Sequence, residues 1–546
     1  MSKTNDCPAP TRRDLLLGAG ALAGAAALAG PGRTRLRADH PGPKAKATPF
    51  KLDDQPKRVR KSFHDLSDDE VRTFANAVGY LRDRPPIHDP LQWDNLVSMH
   101  AHHCTEASGQ DNLQVHWSYF FLPWHRAYLY FVERHLANTL AKQFDNKPIS
   151  GDQFALPYWD WVTHKNIPNT SAREMAKKAS PLFGLDPSED LGADKPDRYN
   201  LALFDGYRGP TLDKPDMNPD NEPTKGWKEY TKLIRDHNTS PAQINSILSM
   251  QNFCIFGGFP ITDEATGQGL LENIPHNTIH DWVGTRCGSN RDMGSLRYAA
   301  LDPIFYLHHC NIDRIWSLYQ FTPDPDGKPA ANCFTTPEAL KKWAEQTFEF
   351  TDIDGKTVSV TVRDTIKNMK NVTYEESPRG SKLMVASADK APSVRTAPLL
   401  AKTTRLTNDK PGTVTVAAKA MLKDSKDVRA GEPKSAVLEV VIGDFAYQGR
   451  FQVRVFVNKE DATRETPLSD EHFVGSFQAL DSHSGKREGK DGKHRFFVDV
   501  SPTVSKFLKV APAGKDFKLT LVAVGGSPRE GSFYLDVASV TLHVYE

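Results

Sequence analysis

His276 and His280 stand four residues apart in Glu272-Asn273-Ile274-Pro275-His276-Asn277-Thr278-Ile279-His280-Asp281-Trp282, behind a proline that can open a helix. Positions i and i+4 of a helix share a face, so both imidazoles can point at one centre. In the stretch from Asp302 to Trp316, Asp302 can cap a helix, Pro303 fits its first turn, and apolar residues at helical spacing surround His308 and His309. Upstream lie His100-Ala101-His102-His103-Cys104 and a segment from His116 to Arg126 that contains His125. Buried imidazoles need partners, and metals supply them. Neutral imidazoles without a matching set of thiolates or carboxylates suit copper, and also zinc, iron or nickel. The zinc-protease pattern HExxH is absent, because Asn277, Thr278 and Ile279 separate His276 from His280, which argues against a zinc hydrolase.

Helices must carry most of these side chains. Ser67 with Glu70 caps a helical pattern through Val71, Phe74, Val78 and Leu81, which Pro85 and Pro86 end. A second helix, from near Leu91 to Cys104, sets His100 and Cys104 on one face and points His102 and His103 elsewhere. From Pro123 an amphipathic pattern places His125 in its first turn and leaves the aromatics Trp124, Tyr128 and Phe131 to the core. Asp313, one turn beyond His309, can orient an imidazole or pair with an arginine. Residues 180–221 read as loop. Strand alternation appears at 348–352 and 358–362 and returns from Ser435 to Glu546 as a separate all-β sandwich or barrel. Between them, 377–433 has the Lys, Pro, Ala and Thr content of a linker, with Thr413-Val414-Thr415-Val416 able to pair as strand.

Four segments, taken in order, resemble the tyrosinase and polyphenol oxidase family of type-3 dicopper proteins: His100 with Cys104, HxxxxxxPWHR from His116 to Arg126, ENxPHNxxHDW from Glu272 to Trp282, and DPIFYLHHxNxDRxW from Asp302 to Trp316. The resemblance implies a mainly α catalytic domain, a helical bundle holding two copper ions, with dioxygen as co-substrate. It assigns His100, His116 and His125 to one copper and His276, His280 and His309 to the other, leaving His308 outside the ligand set. It also implies a thioether from Cys104 to His116, and a water held by Glu272 and Asn277 that takes the proton of a phenol. Asp281, next to a ligand, would favour amine-bearing or cationic substrates. Leu296 stands where related plant enzymes often carry a phenylalanine over the second copper, which predicts freer access for monophenols. Phe154 to Trp161 matches the family's PYWDW segment and reads as packing. Tyr374 matches a tyrosine in the short segment that closes the catalytic domain of plant enzymes. The β domain resembles the one covering the site in latent plant enzymes, whose KFDV signature appears loosely as Arg450-Phe451-Gln452-Val453.

The expected organisation is an export signal at 1–38, a dicopper domain at 39–376, a linker at 377–433 and a β domain, a possible lid, at 434–546. The expected activity is oxidation of monophenols and o-diphenols to o-quinones. A catechol or o-aminophenol oxidase is the alternative, and a dioxygen carrier a more distant one. With 69 basic against 68 acidic residues, nothing draws the chain to nucleic acid or membrane, and small phenols fit such a surface. Arg12 and Arg13 ahead of a short Ala/Gly/Leu run read as a twin-arginine signal, hence a bacterial periplasmic or secreted protein. Cys104, Cys254, Cys287, Cys310 and Cys333 are too few and scattered for a disulfide framework.

Overall fold

The structure is a computed structural model that describes residues 47–52, 56–83, 91–103, 115–165, 235–261, 265–284, 292–328, 333–378, 380, 382–383, 394–399, 403–416, 435–448, 451–480, 486–489, 493–501, 516–525 and 533–545. The signal at 1–38 and Cys104, Cys287 and Arg450 lie outside these residues.

Helix α1 (Asp68–Asp83) starts at the expected box: Glu70 accepts from the Ser67 backbone N–H at 2.8 Å and donates its own N–H to Ser67 Oγ at 3.3 Å. Helix α2 (Trp93–His103) carries His100. Helix α3 (Phe121–Gln143) is buried along most of its length, as its continuous aromatic and aliphatic residues require. Helix α4 (Pro241–Leu248) is capped by the Ser240 side chain. A π-helical turn, Glu272–His276, runs directly into α5 (Asn277–Val283). Pro275 therefore sits inside a helix rather than opening one: it has no N–H to give, and the ladder widens locally to accommodate it. Helix α6 (Ile304–Leu318) begins where Asp302 accepts the Ile304 N–H at 2.9 Å.

A buried ionic cluster ties the bundle together. Arg60 reaches both Glu133 (3.0 Å) and Asp313 (3.3 Å), and Arg126 meets Asp313 at 2.6 Å. Tyr374 donates to the same Asp313 carboxylate at 2.6 Å. Asp313 is thus occupied by two arginines and a tyrosine, and the arginine-pairing reading of this residue holds over the imidazole-orienting one. Losing one member would leave a buried charge uncompensated. Cys254 and Cys333 form a disulfide, and Cys310 is a buried thiol.

Two sheets make the C-terminal unit. One orders Ala265–Gly267, Lys493–Asp499, Ser435–Gln448, Tyr534–Tyr545 and Val394–Pro398; the other orders Phe473–Ala479, Phe451–Val457, Phe517–Gly525 and Gly412–Val416. Apolar side chains of both, including Leu438, Val440, Val453, Phe477, Phe496 and Leu521, close a core between them. The stretch read as a linker is narrower than 377–433, because Val394–Pro398 and Gly412–Val416 are hydrogen-bonded edge strands of these sheets. Edge strands need little hydrophobic content, so composition alone hides them.

The β unit is seated on the helical one. Strand Ala265–Gly267, from the segment just before Glu272, pairs in parallel with Lys493–Arg495. Trp117, the neighbour of His116, enters the sandwich core and meets the rings of His494 (5.0 Å) and Phe496 (5.2 Å). Asn273 donates to the Phe497 carbonyl at 2.6 Å, and Gln243 to Asp499 at 2.9 Å.

Candidate metal centre

Two groups of buried imidazoles face each other between α2, α3, α5 and α6. His100, His116 and His125 form one; His276, His280, His308 and His309 form the other, and within each group the candidate ligand atoms lie within 4.8 Å of one another. The groups abut, with the His125 and His309 rings 4.4 Å apart and those of His116 and His276 at 6.0 Å. Phe305 packs on His309 (4.1 Å) and His100 (4.7 Å), and Phe121 on His276 (4.7 Å), so the walls are apolar.

Hydrogen bonds select the free nitrogen of several rings. Nδ1 of His125 donates to the Phe121 carbonyl (2.8 Å), Nδ1 of His280 to the Met293 carbonyl (2.9 Å), and Nδ1 of His276 to Asn277 Oδ1 (3.0 Å). Each neutral ring then keeps its Nε2 lone pair for a metal. A side chain at Gly284 would collide with the backbone of Met293 and Gly294; the close approach that glycine allows brings the Met293 carbonyl to His280. Nε2 of His125 and of His276 is buried without a hydrogen-bond partner. Buried, orphaned lone pairs aimed into one space fit a pair of metal ions held by imidazole.

His308 behaves differently. Trp161 Nε1 donates to its Nδ1 at 3.2 Å, which puts the ring proton on Nε2 and removes the lone pair a ligand needs. His309, on the same helix, turns its Nε2 towards Nε2 of His280 at 3.3 Å. His103 donates to the Met99 carbonyl (2.9 Å), packs on Trp124 and stands outside both groups, as the helical spacing predicts.

Burial keeps these rings neutral. It pushes the imidazolium of His125 down to about 3 and of His280 down to about 4, and it lowers His100, His116, His276 and His309 well below the usual range. The unfolded chain takes up these protons at about 6.5. Stability linked to the rings is therefore full above the unfolded value and is lost as pH falls towards the folded ones. Copper-free protein should lose melting temperature steadily as pH drops from about 6.5 to about 4. A flat profile measured calorimetrically over that range contradicts buried, neutral imidazoles.

Glu272 is fully buried, and burial lifts its carboxyl to about 8 against the opposing pull of the Trp117 N–H (3.0 Å) and the Gln268 amide (3.1 Å). Asn277 gives its amide hydrogens to Gln268 Oε1 (3.0 Å) and to the Gln478 carbonyl of the β unit (2.8 Å). Asp281 is half-buried beside His280. Leu296 is buried, and its backbone carbonyl accepts from the His100 ring. Cys104 is not among the described residues, so its bond to His116 is outside them too. Sequence reasoning missed Gln268 and Gln478, which carry no motif, and gave Trp161 only a packing role.

An all-imidazole site with room for two metal ions thus lies within a helical bundle, against a β sandwich. The common central domain of tyrosinase matches residues 90–322. Similar proteins include the latent polyphenol oxidase of Prunus armeniaca, 27% identical over 77% of this chain and 66% of that one. The catechol oxidase B of Solanum tuberosum is 27% identical over 78% and 67%, so the matches span about two thirds of those relatives. The (+)-larreatricin hydroxylase of Larrea tridentata is 26% identical over 89% and 77%. In fold, latent apple tyrosinase superposes with a TM-score of 0.58 at 20% identity, covering 91% of this chain and all (100%) of that one. Latent aurone synthase gives 0.60 at 20%, covering 92% of each. Residues 90–322 thus carry the tyrosinase family's central domain with its dicopper site, and the chain shows the expected helical catalytic part and C-terminal β part.

These relatives are chloroplastic plant proteins, which overturns the expectation of a bacterial protein exported by the twin-arginine route and points to plastid targeting. A basic leader with a weak Ala/Gly-rich run does not by composition separate the two addresses. Among the described residues no helix is long and apolar enough to cross a membrane.

Proposed function

We propose that the protein oxidises monophenols and o-diphenols to o-quinones with dioxygen. His100, His116 and His125 would hold one copper, and His276, His280 and His309 the other. The observation that carries this reading is the convergence of buried rings, with Nδ1 of His125 and His276 committed to neighbours and their Nε2 left over, and with Nε2 of His280 and His309 facing each other. Bound copper supplies the change of oxidation state that takes electrons from the phenol to dioxygen.

The chain's own residues supply the rest. Phe121 and Phe305 keep water from the centre. A phenol, with a pKa of roughly 10, needs help to ionise near neutrality. Glu272, raised to about 8, is matched to receive that proton, through a water it would share with Asn277. Asp281 would favour amine-bearing phenols, and buried Leu296 leaves more room than an aromatic ring. The thioether from Cys104 to His116 belongs to the same proposal.

The units we propose are a catalytic one at 39–376 and a β unit at 434–546 that also takes in the strands between 394 and 416. Asn277, Asn273 and Trp117, all beside the site, are bound by the β unit, which supports a lid. Cutting the chain between 377 and 393 and removing the β unit should raise catechol-dependent oxygen uptake by about tenfold or more, the gain expected when under a tenth of molecules are open. Unchanged uptake removes the lid. Reversible oxygen binding without quinone would instead identify a carrier.

A further inference from the structure

Gln268 lies in the short irregular stretch between strand Ala265–Gly267 and the π turn, and its side chain is buried. Its amide joins two residues already placed at the site: Nε2 donates to Glu272 Oε1 at 3.1 Å, and Oε1 accepts from Asn277 Nδ2 at 3.0 Å. Asn277 in turn receives the His276 Nδ1–H at 3.0 Å.

The direction of this chain is not arbitrary, because backbone groups fix both ends. The Gln478 carbonyl can only accept, so the amide nitrogen of Asn277 must face it, at 2.8 Å. That orientation turns Asn277 Oδ1 to His276 and its second hydrogen to Gln268, whose oxygen must then face Asn277. The Gln268 nitrogen is left facing Glu272. At that end the Trp117 N–H can only donate, at 3.0 Å, so Glu272 Oε1, the oxygen facing Gln268, is an acceptor. Reversing either amide would set oxygen against oxygen in a site without room for compensation.

We propose that Gln268 is a positioning residue: it couples Glu272 to the ligand His276 through Asn277, so that a single directional run of hydrogen bonds aligns the proton acceptor and fixes the tautomer of the metal ligand. This rests on the reading above that His276 holds copper and Glu272 receives the phenol proton. The Gln478 carbonyl comes from the β unit, so in the docked chain that unit orients the Asn277 amide, while Gln268 joins it to Glu272 within the helical unit.

A double-mutant cycle on copper retention tests it. Gln268→Met keeps the length of the side chain and removes both polar atoms; Glu272→Gln keeps the shape and replaces one carboxyl oxygen with an amide nitrogen that cannot accept. Copper-loaded wild type, both single variants and the double variant are titrated with a chelator, and turnover of tyramine and catechol is measured alongside. Each single change should weaken one of the paired coppers by about tenfold, the scale of lost outer-shell partners. The double variant should lose about the same tenfold, since the second cut falls on a run already broken. Gln268→Met should also lower kcat for tyramine more than for catechol, with KM for both nearly unchanged. Independent, multiplying losses, or copper retention untouched by either change, overturns the proposal. If Gln268→Met does not fold, Glu272→Gln decides alone, since undiminished copper retention there means a break at this end of the run is not felt at His276. A wild type that oxidises neither phenol ends the proposed function and leaves the copper titration to judge the coupling.

Discussion

Replacing His309 with alanine should strip one of the paired coppers and cut catechol oxidation by more than about a hundredfold, whereas the same change at His308 should keep both coppers. The two residues are neighbours on α6 and equally buried, so position alone does not separate them. Their hydrogen bonds do. A neutral imidazole has one lone pair, and at His308 it is taken by the Trp161 indole N–H. His309 has its Nε2 turned to that of His280 inside the second group. Trp161→Phe would release the His308 lone pair and should leave copper content unchanged while disturbing the packing. Metal analysis of the three purified variants checks the assignment. Copper lost equally from the His308 and His309 variants would mean the tautomer argument fails.

Glu272→Gln should lower monophenol turnover by about a hundredfold to ten-thousandfold, the usual worth of a positioned base, while catechol turnover falls much less. A catechol loses its first proton more easily and is already hydroxylated, so it depends less on this carboxylate. The sign of the pH dependence follows from burial. With its carboxyl raised to about 8, Glu272 is protonated and unable to accept below that value, so monophenol turnover should climb as pH rises through about 8. In Glu272→Gln that rising limb should vanish from the tyramine profile. An identical limb in the variant would place the titrating group elsewhere.

Much of this site was legible in the sequence because helical spacing translates directly into shared faces. His276 and His280 are one turn apart, and His100 and His309 lie on helices whose apolar neighbours require burial. Pro275 was misjudged because a proline reads as a start signal, while a widened turn that absorbs it inside a helix leaves no trace in composition. The β unit announced itself by alternation, yet its edge strands Val394–Pro398 and Gly412–Val416 were partly hidden by a linker-like composition. Gln268 and Gln478 were invisible for a different reason. Gln268 acts through a partner 4 residues away that no motif marks, and Gln478 through one 201 residues away, joined only when the β unit docks on α5. Asp313 could be narrowed to two roles by its spacing, and only the positions of Arg60, Arg126 and Tyr374 choose between them.

The central claim is tested most directly by loading the full chain with copper, freeing it of the β unit, and following quinone formation from tyramine and from a catechol in the same preparation. Paired copper in each chain with quinone from both substrates is the result this site predicts. Quinone from the catechol alone would make it a catechol oxidase and contradict the role given to Glu272 and Asn277; no quinone from either would contradict the oxidase itself.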